Sequence, residues 1–188
     1  DFDQVELSNL QRQIIHQTKD IGDDKVNSAK NKLTELNPEI KVTIANELIH
    51  TDNLNELIKG VDIVLDGTDN FESRFEINKV CVENKKPLIS AAVVRFEGQV
   101  SVFKGYEKEL PCYQCLYSEE GEENDSCIEN GVLAPVAGLI GTLQALQAIK
   151  VILNLGDQLS GSLLLVDAMD LSFRKVKIGK DSKCPICN

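Results

Sequence analysis

Apolar residues in the first part of the chain recur at helical spacing over one segment and then at strand spacing. Residues 23–37 carry four apolar side chains at helical spacing, namely Val26, Ala29, Leu33 and Leu36. An aspartate precedes the first of them and Pro38 follows the last, which are typical helix boundaries. We therefore predict a helix over residues 23–37 with these four side chains buried.

The pattern predicts six further elements up to residue 103. They are a strand over 39–46, a short helix over 51–60, a buried strand over 61–66, a helix over 72–83, and strands over 87–94 and 98–103. Because strands and helices alternate, the first hundred residues predict an α/β fold whose parallel sheet has crossover helices.

The pattern changes in the second half of the chain. Residues 104–131 are acidic and lack periodicity, so we predict a mobile, solvated loop. A long apolar helix is predicted over 135–154, and Gly138 and Gly141 indicate close packing of that helix against another element. Two strands, over 162–168 and 171–178, form a predicted hairpin. The whole chain, 1–188, is interpreted as one domain.

Charge and hydropathy exclude two classes of partner. The chain has 188 residues and a formal net charge of −10, and nucleic-acid binding needs a basic face. We saw no apolar run approaching the roughly 18 residues of a membrane span. Neither a nucleic acid nor a membrane is therefore expected as a partner. His16 and His50 lie in polar contexts and are interpreted as surface residues.

The six cysteines indicate a metal site. Four form two CxxC pairs, Cys112 with Cys115 and Cys184 with Cys187. Four thiolates are the ligand number of a closed, structural Zn²⁺ site, which we predict here. Two disulfides and a redox-active CxxC are the alternatives. The spacing favours zinc and a reducing compartment, the cytoplasm.

Several polar residues near predicted strand ends are suited to binding a nucleotide. Asp1 or Asp3 is placed to bind the ribose hydroxyls, and Asn9, Arg12 and Lys25 to contact phosphate oxygens. Asp66 and Asp69 follow the buried strand 61–66, where a carboxylate is suited to Mg²⁺. The alternatives are simpler: Arg12 and Lys25 as solvated charges, Asp3 as a turn residue, and Asp69 or Asn70 as a helix cap.

The order of motifs resembles the MoeB/ThiF family of ubiquitin-activating-enzyme-like adenylyltransferases. The motifs are DFD, SNLQRQ, Lys25, LDGTDN, CYQC, GVLAPVAGLIGTLQALQAIK and CPIC, and they cover essentially the whole chain. The resemblance implies a Rossmann-like mixed sheet with C-terminal antiparallel strands, a zinc site formed by both CxxC pairs, and a homodimer. It also implies that ATP and Mg²⁺ are used to adenylate the C-terminal glycine of a small ubiquitin-like sulfur carrier ending in Gly-Gly.

Residue roles follow from the same resemblance. Asp1 matches the ribose-binding acid, Asn9 and Arg12 the phosphate-contacting residues, and Lys25 the lysine that neutralises the triphosphate. Asp69 matches the acid of the Mg²⁺-assisted step, and Asn70 beside it is assigned to the same nucleotide site. The carrier belongs to molybdopterin or to thiamin synthesis, and a sulfur donor protein is a further expected partner.

Cys127 matches the family's loop cysteine, which can link covalently to the carrier, although the acids beside it would raise its pKa. Cys81 is predicted to be a small core residue.

One part of the family pattern has no counterpart in this sequence. The first strand, the GxGxxG-type loop and an arginine lent by the partner subunit are expected to precede residue 1, so we interpret the sequence as N-terminally truncated. Two rival functions remain at this point: a non-catalytic scaffold that docks a ubiquitin-like protein, and a nicotinamide-dependent oxidoreductase. Retention of Arg12, Lys25 and Asp69 argues against the first, and the lack of a candidate hydride-transfer site argues against the second.

Overall fold

The computed structural model describes residues 1–118 and 131–188. These residues form two compact units, Asp1–Ile49 and His50–Asn188, which are described separately below.

The first unit is built around one α-helix, α1, at Lys25–Leu36, and also contains 3₁₀ turns at Leu7–Asn9 and Thr18–Asp20. An isolated antiparallel bridge joins Gln4 to Asp24, immediately before α1. The chain reverses at Gly22, whose φ of +92° is a conformation that favours glycine.

Two sequence predictions for the first unit are wrong. Leu36 is 69% exposed, and the other three apolar positions of α1 are only half-buried; the residue of α1 that is buried is Ser28. Helical spacing predicts a face, but burial requires a surface against which that face can pack. Residues 41–46 do not form the predicted strand, because a strand requires a neighbouring backbone as well as an alternating pattern.

In the described residues 50–118 and 131–188, the second unit has three α-helices and one five-stranded sheet. Its helices are α2 (Thr51–Leu57), α3 (Phe71–Glu83) and α4 (Ala134–Ile152), and its strands are β1 (Val64–Asp66), β2 (Leu88–Val94), β3 (Glu97–Phe103), β4 (Ser162–Asp167) and β5 (Ser172–Lys177). A 3₁₀ turn covers Tyr113–Cys115. The helices and strands lie within a few residues of the predicted ones, whereas the 3₁₀ turn lies in the segment predicted to be a loop.

The sheet is mixed, with the strand order β1-β2-β3-β4-β5. β1 and β2 are parallel and are connected through α3, whereas the three remaining pairs are antiparallel. The predicted C-terminal hairpin is confirmed by the pairing of β4 with β5. The prediction of a parallel sheet holds only for β1 and β2, because β3 follows β2 through a tight turn that reverses the chain.

The core of the second unit lies between the sheet and α4. Val136 and Ile140 of α4 pack with Ile89, Val100 and other buried strand residues. A Cβ at Gly98 would collide with the Ile140 side chain, so glycine on β3 permits this close approach.

The two glycines of α4 do not have the packing role that we predicted. Among the described residues, a Cβ at Gly138 or at Gly141 would meet nothing within 4 Å, and both residues are exposed. By length and composition alone, α4 is also apolar enough to cross a membrane, contrary to the sequence expectation of no such run. Its buried face packs on β2 and β3, as in the core helix of a globular unit.

The predicted solvated loop begins with a buried segment. Pro111, Cys112 and Tyr113 are at most 3% exposed, so the prediction is wrong for these residues. The loop was predicted from a lack of hydrophobic periodicity. Such a pattern does not exclude burial, because irregular backbone can be buried beside a cysteine cluster. Residues 119–130, including Cys127, lie outside the described residues.

Candidate active site and cysteine cluster

Asp3 and Lys25, both predicted from the sequence, are in direct contact. Lys25 Nζ donates a hydrogen bond to Asp3 Oδ2 at 2.6 Å, and the Lys25 side chain is only 14% exposed. The backbone supports this contact, since Lys25 N donates to Asp3 O at 2.9 Å. The beginning of α1 therefore fixes an ammonium group against a carboxylate.

The loop that precedes α1 holds the other predicted phosphate-contacting residues. Asn9 is buried, and its Oδ1 accepts a hydrogen bond from Glu6 N at 3.1 Å. Arg12 is half-buried, and its Nη1 donates to Ser8 O at 3.1 Å. Arg12 N also donates to Asn9 O at 3.0 Å. One turn therefore positions both side chains, with the Asn9 amide used in the turn itself.

Asp1 lies at the exposed edge of the same unit. Its Oδ1 accepts a hydrogen bond from Asp3 N at 3.0 Å, so the two acids predicted as alternatives for ribose binding are neighbours joined by a turn. Asp1 is exposed, whereas Asp3 is engaged with Lys25. Of the two carboxylates, the Asp1 group is the freer to accept hydrogen bonds from a ligand.

A buried histidine links the loop to α1, a feature that sequence reasoning missed. His16 is 9% exposed and not on the surface as predicted. Its Nδ1 lies 2.8 Å from Ser28 Oγ, which donates to Asp20 Oδ2 at 3.0 Å. Burial lowers the pKa of His16, with Lys25 acting in the same direction and Asp20 opposing it. His16 is therefore neutral in the folded protein at neutral pH.

In the second unit, a network at the end of β1 involves Asp66, which the sequence suggested as a ligand-facing acid. The residue is 2% exposed. Thr68 N and Thr68 Oγ1 donate to Asp66 Oδ1 at 2.9 and 2.7 Å, and Ser90 Oγ donates to Asp66 Oδ2 at 3.0 Å. Its carboxylate is therefore used within the protein, and the suggested ligand role is wrong.

Arg74 of α3 completes this buried network. Arg74 Nε lies 3.9 Å from Asp66 Oδ2, and Arg74 Nη2 donates to Thr68 O at 2.5 Å. The guanidinium also lies 5.6 Å from the ring centre of Phe71, a cation–π distance. Thr68 is consequently fixed through its backbone and its hydroxyl, directly before Asp69.

Asp69 and Asn70 follow this fixed residue. Asn70 Oδ1 accepts a hydrogen bond from Ser73 N at 2.8 Å and caps α3, so the helix-cap alternative applies to Asn70. Asp69 is exposed, and within the described residues its carboxylate has no hydrogen bond or ion pair. Of the two aspartates near the carboxyl end of β1, Asp66 is used within the network and Asp69 is free of described partners.

The two CxxC pairs converge on one point. The four Sγ atoms lie within 4.8 Å of one another, and Cys112 Sγ is 3.9 Å from Cys115 Sγ and 3.6 Å from Cys184 Sγ. Cys115 Sγ is 3.4 Å from Cys187 Sγ. Tetrahedral coordination at about 2.3 Å per Zn–S bond separates sulfurs by about 3.8 Å. The four thiols are free, so the donor set and its geometry fit a Zn²⁺ ion.

The environment of the cysteine cluster is closely packed and contains thiolate-stabilising donors. A Cβ at Gly105 would lie 2.5 Å from Cys112 Cβ and 3.1 Å from Cys187 Cβ. Burial acts to raise the pKa of Cys184, but hydrogen bonds from the backbone N–H groups of Ile186 and Cys187 and from the Cys112 and Cys187 side chains together lower it. Burial raises the pKa of Cys187 to about 11. A bound cation would favour the thiolate at both positions.

Cys81 lies apart from this cluster, in the core. It is 2% exposed, with Ile77 and Val80 buried beside it on α3, which confirms the sequence prediction. Burial raises its pKa to about 12.

Sequence reasoning missed the partners that hold the site residues. Arg74 and Asn78 lie in the predicted helix 72–83, on the face that also carries Ile77 and Cys81. Both side chains recur at helical spacing with core residues, and this pattern could have indicated that they are buried and have polar partners. His16 gave no comparable signal, because its partner Ser28 belongs to another element.

Comparisons with known proteins place the chain. Residues 1–186 match the ThiF family. The chain is 44% identical over 187 residues to molybdopterin-synthase adenylyltransferases of Salmonella typhimurium and Escherichia coli, covering 100% of this chain and 75% of each relative. It is 37% identical over 192 residues to the sulfur carrier protein adenylyltransferase of Thermus thermophilus, covering 100% of this chain and 71% of that one. These relatives are nucleotidyltransferases by name.

The fold is also similar to that of a solved structure. A crystal structure of E. coli MccB with ATP superposes with a TM-score of 0.82 at 24% sequence identity, covering 100% of this chain. The chain spans only 57% of that protein, and at this identity the likeness concerns the fold. On the match over residues 1–186 and the identity to the adenylyltransferases, this chain belongs to the ThiF family.

Proposed function

We propose that the protein adenylates the C-terminal glycine carboxylate of a small ubiquitin-like sulfur carrier, with ATP as the second substrate. The support is membership of the ThiF family together with 44% identity to molybdopterin-synthase adenylyltransferases. The observation that carries the proposal is Asp69, the free carboxylate that the buried Asp66–Arg74 network fixes at the end of β1.

The chemistry requires charge neutralisation more than proton transfer. A carboxylate oxygen of the carrier attacks the α-phosphorus of ATP, the new C–O–P bond forms, and the bond to the β-phosphate breaks to release pyrophosphate. The attacking carboxylate is already ionised at neutral pH, so no general base is needed. Both reactants are anions, and cationic groups must therefore stabilise the transition state.

We assign this role in the first unit to Lys25 and Arg12. Each makes a contact that holds its charged group in place: Lys25 Nζ with Asp3, and Arg12 Nη1 with Ser8 O. Pre-positioned cations contribute more to catalysis than mobile ones, because no ordering is needed at the moment of reaction. Asn9 supports the turn that carries Arg12 and is assigned to the phosphate contacts as well. Asp1 is assigned to the ribose.

Asp69, with Asn70 beside it, would hold Mg²⁺, which supplies additional charge neutralisation on the phosphates. A free, exposed carboxylate suits that ion, since Mg²⁺ keeps several of its waters when it binds protein.

We further propose that the four clustered cysteines hold a structural Zn²⁺. All four ligand positions would be filled by sulfur, so the ion would have no open position for substrate. Its contribution is to tie the C-terminal tail to the segment around Cys112. Free thiols and a metal site are both consistent with a reducing compartment, and we place the protein in the cytoplasm.

A homodimer is proposed from the exposed face of α4. Leu146, Ile149 and Ile152 are 49%, 52% and 59% exposed, and Gly138 lies on the exposed surface of the same helix. Exposed apolar side chains on one helix are typical of an interface between subunits. Sedimentation should show a dimer for the wild type and a monomer for Ile149→Glu; a monomeric wild type would refute this part.

The carrier ends in Gly-Gly and belongs to molybdopterin or thiamin synthesis; a separate sulfur donor protein would act after adenylation. Cys127 is proposed to link covalently to the carrier, and lies outside the described residues. The proposed activity is tested by ATP–pyrophosphate exchange with candidate carriers. If no carrier supports exchange, the protein is instead a scaffold that docks a ubiquitin-like protein.

A further inference from the structure

One buried amide on α3 lies beside the cysteine cluster. Asn78 is 1% exposed, and its Oδ1 accepts a hydrogen bond from Tyr113 N at 2.9 Å. Tyr113 directly follows Cys112, whose side chain is fully buried. The Asn78 amide is therefore held against the backbone of the first CxxC turn.

The other half of this amide has no conventional partner. Asn78 Nδ2 is buried and has no hydrogen-bond partner within residues 1–118 and 131–188, sulfur atoms included. A buried donor without an acceptor costs about 1–3 kcal/mol, so such groups normally have a partner. The Oδ1 contact places this amide beside Cys112, because Tyr113 N belongs to the peptide bond that joins Cys112 to Tyr113.

We propose that Asn78 donates a hydrogen bond from Nδ2 to the Cys112 thiolate in the zinc-bound protein, and so orients that ligand from α3. The inference rests on the zinc site proposed above and assigns it an outer partner that the ligand motif does not contain. A neutral thiol is a poor acceptor, whereas a thiolate is a good one, so the donor is matched to the metal-bound form.

The proposal gives α3 a second connection to the site. Asn70 caps the first turn of α3. From the same turn, Arg74 donates a hydrogen bond to Thr68 O, directly before Asp69. Two turns later Asn78 accepts a hydrogen bond from Tyr113 N, next to Cys112 in the chain. The metal cluster would then stabilise the helix that begins next to Asp69.

A direct test uses the unaltered full-length protein. With ¹¹³Cd in place of zinc and ¹⁵N-labelled asparagine, we expect a scalar coupling between one Asn78 side-chain amide proton and the cadmium, transmitted through the hydrogen bond to sulfur. The signal is assigned to Asn78 if it is absent from the Asn78→Asp variant, which has no side-chain amide at this position. If no Asn side-chain proton couples to cadmium while all four cysteines are shown to ligate, the proposal is overturned.

Variants supply a second measurement. Asn78→Leu removes the donor, and outer partners of this kind contribute about 10–100-fold to metal affinity. We expect zinc affinity, from competition with a chromophoric chelator, to fall by a factor in that range, and the sulfur-to-cobalt charge-transfer band of the Co²⁺ form to move to lower energy. Val80→Ala, a cavity in the same helix, is the control: it should lower stability and leave both metal readouts unchanged.

The outcomes separate the two proposals. Zinc affinity within twofold of wild type for Asn78→Leu, with an unmoved charge-transfer band, would show that Asn78 only supports the Tyr113 backbone. A wild type that binds neither zinc nor cobalt would refute the zinc site itself, and the inference with it.

Discussion

Asp66 and Arg74 form a buried ion pair at the end of β1, with Asp66 Oδ2 3.9 Å from Arg74 Nε and both side chains at most 5% exposed. The pair is surrounded by hydrogen bonds from Thr68 and Ser90 and precedes the exposed Asp69 by a short turn. A structural ion pair therefore positions a carboxylate that we assign to catalysis.

Breaking this pair should destabilise the second unit strongly. Arg74→Met leaves the Asp66 carboxylate buried without its cation, and such changes cost about 3–5 kcal/mol. The double variant Asp66→Asn, Arg74→Met should recover part of that loss, because it removes both charges. Urea unfolding measures each value. If Arg74→Met costs less than about 1 kcal/mol, the pair does not hold the turn as described.

His16 should make stability depend on pH. Its pKa is lowered in the folded protein, so the unfolded chain takes up the proton first as pH falls below the ordinary value of 6.5. The stabilising contribution of neutral His16 is thus complete above pH 6.5. It is lost progressively as pH falls towards the lower, folded pKa. Asp20 and Lys25 face the imidazole and act in opposite directions.

Urea unfolding between pH 8 and pH 5 measures this dependence. His16→Gln should flatten the curve below pH 6.5. Identical slopes for wild type and His16→Gln would contradict the assignment.

Substitution by alanine should lower the stability of the folded protein at Gly105 and raise it at Gly141. At Gly105 the added Cβ would lie 2.5 Å from Cys112 Cβ, and such overpacking costs about 1–3 kcal/mol. At Gly141, in the middle of α4, a Cβ would meet no atom of residues 1–118 or 131–188 within 4 Å, so alanine should stabilise the folded chain by about 0.4–1 kcal/mol. Thermal unfolding compares the two. Equal effects would show that the cluster is not closely packed around residue 105.

Zinc should be present and should depend on the four clustered cysteines. Elemental analysis of reduced protein should give about one zinc ion per chain, and Cys184→Ser should lose it. Cys81→Ala is the matched control, since Cys81 is buried away from the cluster and should retain the metal. Chelation should also lower the melting temperature, because the ion closes a long loop. Metal-free wild type, or equal zinc in Cys184→Ser, would refute the site.

Much of the second unit could be predicted from the sequence because its strands are short apolar runs between clear boundaries. β2, β3 and α3 lie within two residues of their predicted bounds. The strand predicted over 39–46 failed, since periodicity says nothing about whether a neighbouring backbone is present. The close packing predicted at Gly138 and Gly141 is not found within this chain for a related reason. A small residue permits close packing but does not require it.

The site was predicted less completely than the fold. CxxC spacing identified all four cysteines, because two residues between ligands already direct both sulfurs to one point. Asp66 and Asp69 looked equivalent in LDGTDN, yet one is buried and paired whereas the other is exposed. That difference depends on Arg74 and Ser90, which belong to other elements, so the sequence LDGTDN does not show it. His16 was missed for the same reason, since its partner Ser28 lies on another element.

The central claim is that Asp69 serves adenylation while Asp66 serves structure. The most direct measurement is ATP–pyrophosphate exchange by the full-length protein with carriers ending in Gly-Gly, comparing wild type with Asp69→Asn and Lys25→Ala. Asp62→Asn and Lys30→Ala, at exposed positions, are the matched controls. We predict exchange in wild type and in both controls, and a loss of at least about 100-fold in Asp69→Asn and Lys25→Ala without loss of folding. Exchange that survives both changes, or that no carrier supports in the wild type, would contradict the account.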